Sequence, residues 1–412
     1  MKIWILQTGE PLHIDKSGLR PMRAMNLSNA LIEKGHDVVL WSSDFDHFSK
    51  KHRFGRAKEI EYSPSLKIKL VPSWGYNSHI SIARLLDHMV LAYNLNKELK
   101  TQNVPEVAFI GYPPIETAWV LARWLKKNNV PFLVDIKDAW PDIFIAAIPR
   151  PLKNLTRVIF APQFMMMKKV LNWSTGISAP SQRYLSWCLS RSGRQQKKQD
   201  RVTPITAPNT IFNKVELQKA EVFLDGLNIK NDGTFRVCFI GTLNSNYDFK
   251  PVIEAALRLP IQFVIAGEGP IYRNLIEVCE EIKNIKLVGW VDSVTSNRIY
   301  ARSNLAIAPY KDTFDFQLNI TNKFYDAMLH GKPIISSLTG AANDLLKNHH
   351  MGINYNRSDE LDLTRVLSNL LKDLDLVSNL SENAINTYTN VYSSEIVYSE
   401  LVSDLEKLGN SV

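Results

Sequence analysis

The sequence predicts an α/β protein of two doubly wound parallel-sheet domains facing a cleft, and three observations predict it. Short, almost continuous apolar runs alternate with amphipathic helical stretches through the first half, the pattern of parallel strands buried on both faces. The same alternation restarts near residue 235. Between the two lies a polar, proline-containing stretch with no apolar face. A chain of 412 residues, 45% hydrophobic and 22% charged, is long enough for two or three domains and apolar enough to bury their cores, which excludes disorder, collagen and small disulfide scaffolds.

In chain order, KIWIL, DVVLWSS, KIKLVPS, EVAFIGY, PFLVDIKD and GISAP read as buried strands, with helices over 23–36 and 115–129. RSGRQQKKQDR (191–201) is basic and polar, and VTPITAPNT (202–210) carries two prolines, so the junction falls here. FRVCFIGTL, QFVIAGEGP, IKLVGWV, LAIAPY and KPIISS then read as strands of a second parallel sheet. In the last stretch (393–409), Ile396, Val397, Leu401, Leu405 and Leu408 recur at helical spacing. The expected domains are 1–203, with 393–412 packing back on it, and 204–392. Ligands in such domains bind outside the carboxyl ends of the strands.

Charge and cysteine usage narrow the function classes. Lys and Arg total 49 against 41 Asp and Glu, a dispersed excess that suits an anionic small molecule or an anionic membrane surface. It lacks the aromatic interleaving of a nucleic-acid reader, so no nucleic-acid partner is expected. Cys188, Cys238 and Cys279 are far apart with no CxxC, which excludes a disulfide framework and a structural zinc site. The apolar stretch of MKIWILQTGE ends at Gln7 and no apolar run reaches 18 residues, so a cytoplasmic protein is expected.

The strongest local signal is NITNKFYDAMLHGKPII (319–335). Thr321 or Asn322 suits a helix N-cap, Gly331 closes the helix, and Phe324, Ala327 and Met328 would face the core. Free N–H groups at the helix start favour an anion, and Lys323 adds a full charge there. Asp326, one turn on, can accept hydrogen bonds from two vicinal hydroxyls. That is the outline of a nucleoside diphosphate, although a capped surface helix with an i,i+3 ion pair has the same spacing. Gly241 and Thr242 follow one buried strand, and Gly267 in AGEGP follows the next; each glycine would let a ligand approach backbone, or simply make a turn. After the first strand, Gly9, Gly18, Arg20 and Arg23 precede a helix, which suits a phosphate or an acidic acceptor as well as a surface loop. Lys137 and Asp138 sit at a strand end in DIKDAWPD. The stretch 153–173 mixes basic residues with Val158, Ile159, Phe160 and Met165 to Met167; it reads as a packed helix with methionines filling the core, or as a segment lying on an anionic membrane. No motif for a metal site or a Ser or Cys nucleophile is present.

In order along the chain, GLRPMRAMNLSNALIEKGHDVVLWSS, YPP (112–114), DIKDAWPD, APNT (207–210), FIGTL, AGEGP, LVGWV, IAPY (307–310) and NKFYDAMLHGKPII resemble the retaining glycosyltransferases of family 4, of GT-B fold, in the branch that builds O-antigen, capsule and other bacterial surface polysaccharides. The resemblance implies a nucleotide-sugar donor as substrate, held mainly by a Rossmann-like second domain, no metal or other cofactor, and a glycan or lipid-linked acceptor on the first domain, around SWGYNSHISIAR (73–84). It implies Asp326 at the ribose, Asn319 to Asn322 (with Thr321) at the diphosphate or sugar, and Gly241, Thr242, Gly267 and Pro309 at the strand-end turns. It also implies Gly18 in the first domain's loop, Lys323 stabilising the leaving group and Asp138 near the sugar. Transfer would retain anomeric configuration, at the inner face of the cytoplasmic membrane if the basic 153–173 segment makes peripheral contact there. Leu318 stands where the family has its first glutamate, with Asp315 nearby; Thr242 stands where it has an arginine, with Lys250 nearby, and Lys323 would supply the charge. A sugar-nucleotide 2-epimerase and a non-catalytic sugar-binding partner are the other readings of the same scaffold.

Overall fold

The structure is a computed structural model that describes residues 1–15, 20–78, 81–206 and 210–410. Contacts divide the chain into one unit of Met1–Pro204 with Val397–Val412 and a second of Ile205–Ile396.

The first unit contains β1 (Lys2–Leu6), β2 (Asp37–Ser43), β3 (Phe45–Asp46), β4 (Lys51–His52), β5 (Lys58–Ser63), β6 (Leu66–Val71), β7 (Val107–Tyr112), β8 (Phe132–Ile136), β9 (Gly176–Ala179) and β10 (Arg201–Val202). Eight of them form one sheet in the order β10-β9-β8-β7-β1-β2-β6-β5, and β3 pairs with β4 apart from it. Neighbours run parallel except β5, which lies antiparallel on β6. The six apolar runs are the strands β1, β2, β6, β7, β8 and β9. Edge strand β5, KEIEYS, gives no apolar run because both its faces are largely open; Glu59 and Glu61 pair with Lys69 and Lys67 across the edge. Strand order reverses between β1 and β7, which makes the carboxyl ends of those strands the topological switch point of this unit.

Helix Arg23–Glu33 buries Ala24, Leu27 and Leu31, one stripe of a 3.6-residue period. They join Ile3, Ile5, Val38, Leu40, Phe109 and Leu133 in a core that also takes Leu401, Val402 and Leu405 of the terminal helix Ser394–Gly409. Arg201 pairs with Glu400 and Asp404 of that helix.

Three expectations change. Arg23 does not wait for an anionic ligand: its guanidinium lies 3.2 Å from Asp135, both side chains almost fully buried, and donates to the Thr203 carbonyl at 2.8 Å. Asp135 also takes a 2.6 Å hydrogen bond from Ser178. The basic 191–201 stretch is an ordered loop, because Arg194 grips Asp200 with two bonds of 2.8 and 2.7 Å and Asp200 also accepts the Ile177 and Lys197 N–H groups. The 153–173 stretch divides into helices Lys153–Ile159 and Ala161–Trp173. Of its three consecutive methionines only Met167 is buried, while Met165, Val158 and Ile159 are exposed.

The second unit has β11 (Arg236–Ile240), β12 (Gln262–Ala266), β13 (Ile285–Gly289), β14 (Leu305–Ala308), β15 (Ile334–Ser336) and β16 (Gly352–Asn354), all parallel, in the order β13-β12-β11-β14-β15-β16. Counted within the unit this is 3-2-1-4-5-6, the doubly wound order, with its switch point between β11 and β14. β16 is only GIN and carries no strand signal of its own; its pairing with β15 creates it.

Removing one partner of a buried ion pair strands the other charge. Arg23→Leu is therefore expected to lower unfolding free energy by about 3–5 kcal/mol, read from urea denaturation, and Asp135→Asn in the Arg23→Leu background to recover part of it.

Candidate functional site

The second unit's switch point is where sequence expectation and geometry meet. β11 ends at Ile240 and β14 at Ala308. The Lys323 ammonium donates to the Ile240 carbonyl, 4.4 Å from the Phe239 ring centroid and 5.4 Å from that of Tyr247. Cation–π attraction and the carbonyl together hold one positive charge at the strand end. Gly241 makes this approach possible: its φ is +149°, and a Cβ there would overlap the ammonium.

The next glycine is required for a different reason. A Cβ on Gly267, at φ +136°, would run into the Gly241 carbonyl. The two turns lie backbone to backbone, tied by Gly241 N–H to the Ala266 carbonyl at 2.9 Å and Leu243 N–H to the Glu268 carbonyl at 2.9 Å. These bonds carry the sheet ladder past the strand ends. Pro309 is buried beside them and accepts the Asp248 N–H at 2.8 Å, while Thr242 is exposed.

The Tyr247 and Tyr310 hydroxyls are 3.2 Å apart. Burial pushes both phenols upward, so they remain neutral donors and acceptors. The Thr321 hydroxyl works against that rise at Tyr310. No sequence signal marked this tyrosine pair, since neither residue belongs to a periodic pattern; it arises from the antiparallel bridge of Tyr247 with Tyr310 after the strands end.

Helix Asn322–Leu329 starts at Thr321, in extended geometry with no side-chain cap. Phe324, Ala327 and Met328 are buried as expected, and so is Tyr325. Asn319 Oδ1 and Asn322 Oδ1 are buried oxygens without a hydrogen-bond partner. Asp326 lies one turn on, half-buried, and its charge reaches both Tyr310 and His330. Leu318 ends the short helix Phe314–Leu318, with Asp315 in its first turn. Lys250 is no partner for Lys323 here: it is exposed and paired with Glu360.

Gly241, Gly267, Pro309, Asn319, Thr321, Asn322, Lys323 and Asp326 thus belong to one edge of one sheet. Gly18 lies outside the described residues. Asp138 belongs to the first unit, half-buried after β8, where its carbonyl accepts the Trp140 N–H at 2.8 Å. Beside it Lys137 pairs with the buried Glu10, and Glu10 takes the Ala24 N–H at 2.9 Å, so the turns after β1 and β8 are bonded to each other at that unit's switch point. Among the described residues, no three His, Cys, Asp or Glu side chains converge as metal ligands, and no helix is long and apolar enough to cross a membrane.

Residues 234–373 match the family described as Glycosyl transferases group 1. Sucrose-phosphate synthase from Thermosynechococcus elongatus is similar over 100% of both chains, at 15% identity and a TM-score of 0.74. HepE from Anabaena in complex with UDP covers 98% of this chain and 99% of its own at 13% identity and 0.65. WaaG, a glycosyltransferase involved in lipopolysaccharide biosynthesis, covers 98% and 99% at 11% identity and 0.63. No curated protein sequence matches the chain.

His330 stacks on Tyr300 with centroids 4.6 Å apart, and burial drives its imidazole down to about 4. A depressed imidazole contributes stability above about pH 6.5 that is lost as pH falls toward 4, on the order of 3 kcal/mol. His330→Phe, which keeps the stack, is expected to flatten the fall in unfolding free energy over that window, measured by denaturant titration at each pH.

Proposed function

We propose that this glycosyltransferase, of the two-domain GT-B type, moves a sugar from a nucleotide-sugar donor to a glycan or lipid-linked acceptor in surface-polysaccharide assembly, retaining the anomeric configuration and using no metal. The observation that carries the donor assignment is the Lys323 ammonium fixed over Gly241 at the carboxyl end of β11. A diphosphate departing from the anomeric carbon gains negative charge, and a fixed cation beside a helix start is complementary to that charge without reorganising. Asn319, Thr321 and Asn322 precede or open the same helix and would meet the diphosphate or sugar, with Gly241, Thr242, Gly267 and Pro309 forming the floor. Asp326 would accept the ribose hydroxyls. That the structural neighbour HepE is in complex with UDP and, in a second structure, with UDP-glucose supports a nucleotide sugar as donor.

The first unit is read as the acceptor domain, with Asp138 positioning the sugar. Exposed Leu155, Val158, Ile159 and Met165, among exposed Arg157, Lys168 and Lys169, support peripheral contact with an anionic membrane, apolar groups entering and cations meeting headgroups. A position at the inner face of the cytoplasmic membrane follows from that reading.

Calorimetric titration with UDP, GDP, dTDP and CDP sugars tests the donor site. Lys323→Ala is expected to weaken binding of the preferred donor by roughly ten- to hundredfold, the worth of a charged hydrogen bond. Gly241→Ala displaces the same ammonium and is expected to weaken it comparably. Unchanged affinity in both variants refutes the site.

A further inference from the structure

Within the first unit, a cavity of about 300 Å³ lies between helix Ile82–Glu98, the start of helix Ile115–Lys127 and the turn after β8, lined by Arg84, His88, Glu116, Trp140, Phe144 and Gln163 among others. It belongs to the carboxyl ends of β7 and β8, since Glu116 is in the first helical turn after β7 and Trp140 follows Asp138. A groove of about 910 Å³ shares Glu116 and Gln163 with it and continues past Tyr93, Trp119, Ile159 and Met166.

The walls are apolar, yet three polar atoms there are buried with no hydrogen-bond partner: His88 Nδ1, Glu116 Oε2 and Gln163 Oε1. His88 is 3% exposed and Glu116 6%. Their Nδ1 and Oε2 atoms are 3.9 Å apart, too far for a mutual hydrogen bond and close enough for one oxygen to reach both. Buried polar atoms in native proteins are almost always satisfied, and an apolar cavity of this size falls at the lower end of ligand pockets. The two facing groups select the ligand, and burial disfavours a full charge on either. Burial drives the His88 imidazole down to about 3 and raises the Glu116 carboxyl. An alcohol hydroxyl both donates and accepts, so it can bridge a carboxyl oxygen and an imidazole nitrogen at this spacing. The Arg84 guanidinium stacks 4.8 Å above the Trp140 ring and closes one side.

We propose that this cavity and groove form the acceptor subsite and take an amphipathic glycoside: a hydroxyl of its sugar ring held between Glu116 Oε2 and His88 Nδ1, the ring's apolar face on Trp140 and Phe144, and its hydrocarbon chain along the groove toward Ile159. This deepens the transferase reading and rests on it only for the word acceptor; the binding site itself stands on the cavity.

Octyl β-glucoside below its micellar concentration is the probe, titrated calorimetrically into the full chain. The wild type is expected to bind one molecule saturably. Glu116→Leu and His88→Phe, which keep volume and remove the polar atoms, are each expected to weaken binding at least tenfold. Phe144→Trp changes a half-buried side chain on a short helix, so it spares the core, and it is expected to block binding by filling the cavity. Indifference of the glucoside to Phe144→Trp, or to the polar variants when they fold, overturns the proposal. Titrating the preferred nucleotide into the same preparations separates the two readings: nucleotide bound with glucoside binding unaltered in every variant sinks the subsite alone, whereas glucoside binding lost in the variants with no nucleotide bound sinks the donor site alone.

Discussion

A parallel sheet covered on both faces must return its chain through a helix after every strand. Where the winding reverses, two neighbouring strands send their helices to opposite faces, and the edge between them stays uncovered. In the second unit that edge lies beyond β11 and β14, and the Lys323 ammonium occupies it. Lys323 is there because its own helix packs Phe324, Ala327 and Met328 into the core. The packing of that helix aims the lysine at the Ile240 carbonyl, and the surrounding rings hold it. The tyrosine pair and the two glycine turns are arranged around this placement.

The glycines show how closely the site depends on the backbone. Gly241 and Gly267 sit at positive φ with no room for a Cβ, one because an ammonium is there and the other because a carbonyl is. A side chain at Gly267 would push apart turns that now continue the sheet ladder, and one at Gly241 would displace the ammonium. The cation therefore faces a floor of backbone whose shape is fixed before any ligand arrives, the condition under which electrostatic stabilisation requires little reorganisation.

The first unit solves a similar problem with buried polar pairs. Arg23 with Asp135 and Lys137 with Glu10 tie its strand-end turns together below the switch point. His88 and Glu116 lie at the same edge, where burial keeps the imidazole neutral and raises the carboxyl. One unit thus presents a fixed charge at its strand ends and the other an apolar pocket with buried hydrogen-bonding atoms.

Most of the fold was legible in the sequence. A strand buried on both faces has to be apolar along its whole length, so β1, β2, β6 to β9 and β11 to β15 announced themselves. Those that did not are β5, an edge strand with open faces, β16, a three-residue strand made by its neighbour, and the two-residue strands β3, β4 and β10, too short to show any period. The helix at 322–329 and its lysine were legible because capping, charge and apolar spacing are local. The tertiary structure alone decided which polar residues are spent on the fold. Arg23 and Arg194 read as candidate anion binders or solvated charges, and each is consumed by an aspartate remote in sequence or hidden by loop closure. Tyr247 and Tyr310 meet only after their strands end, and His88 and Glu116 come together from two helices. Local pattern reports periodicity and caps; it cannot report which distant partner desolvates a charge, and burial with its partner is what sets a polar side chain's chemistry.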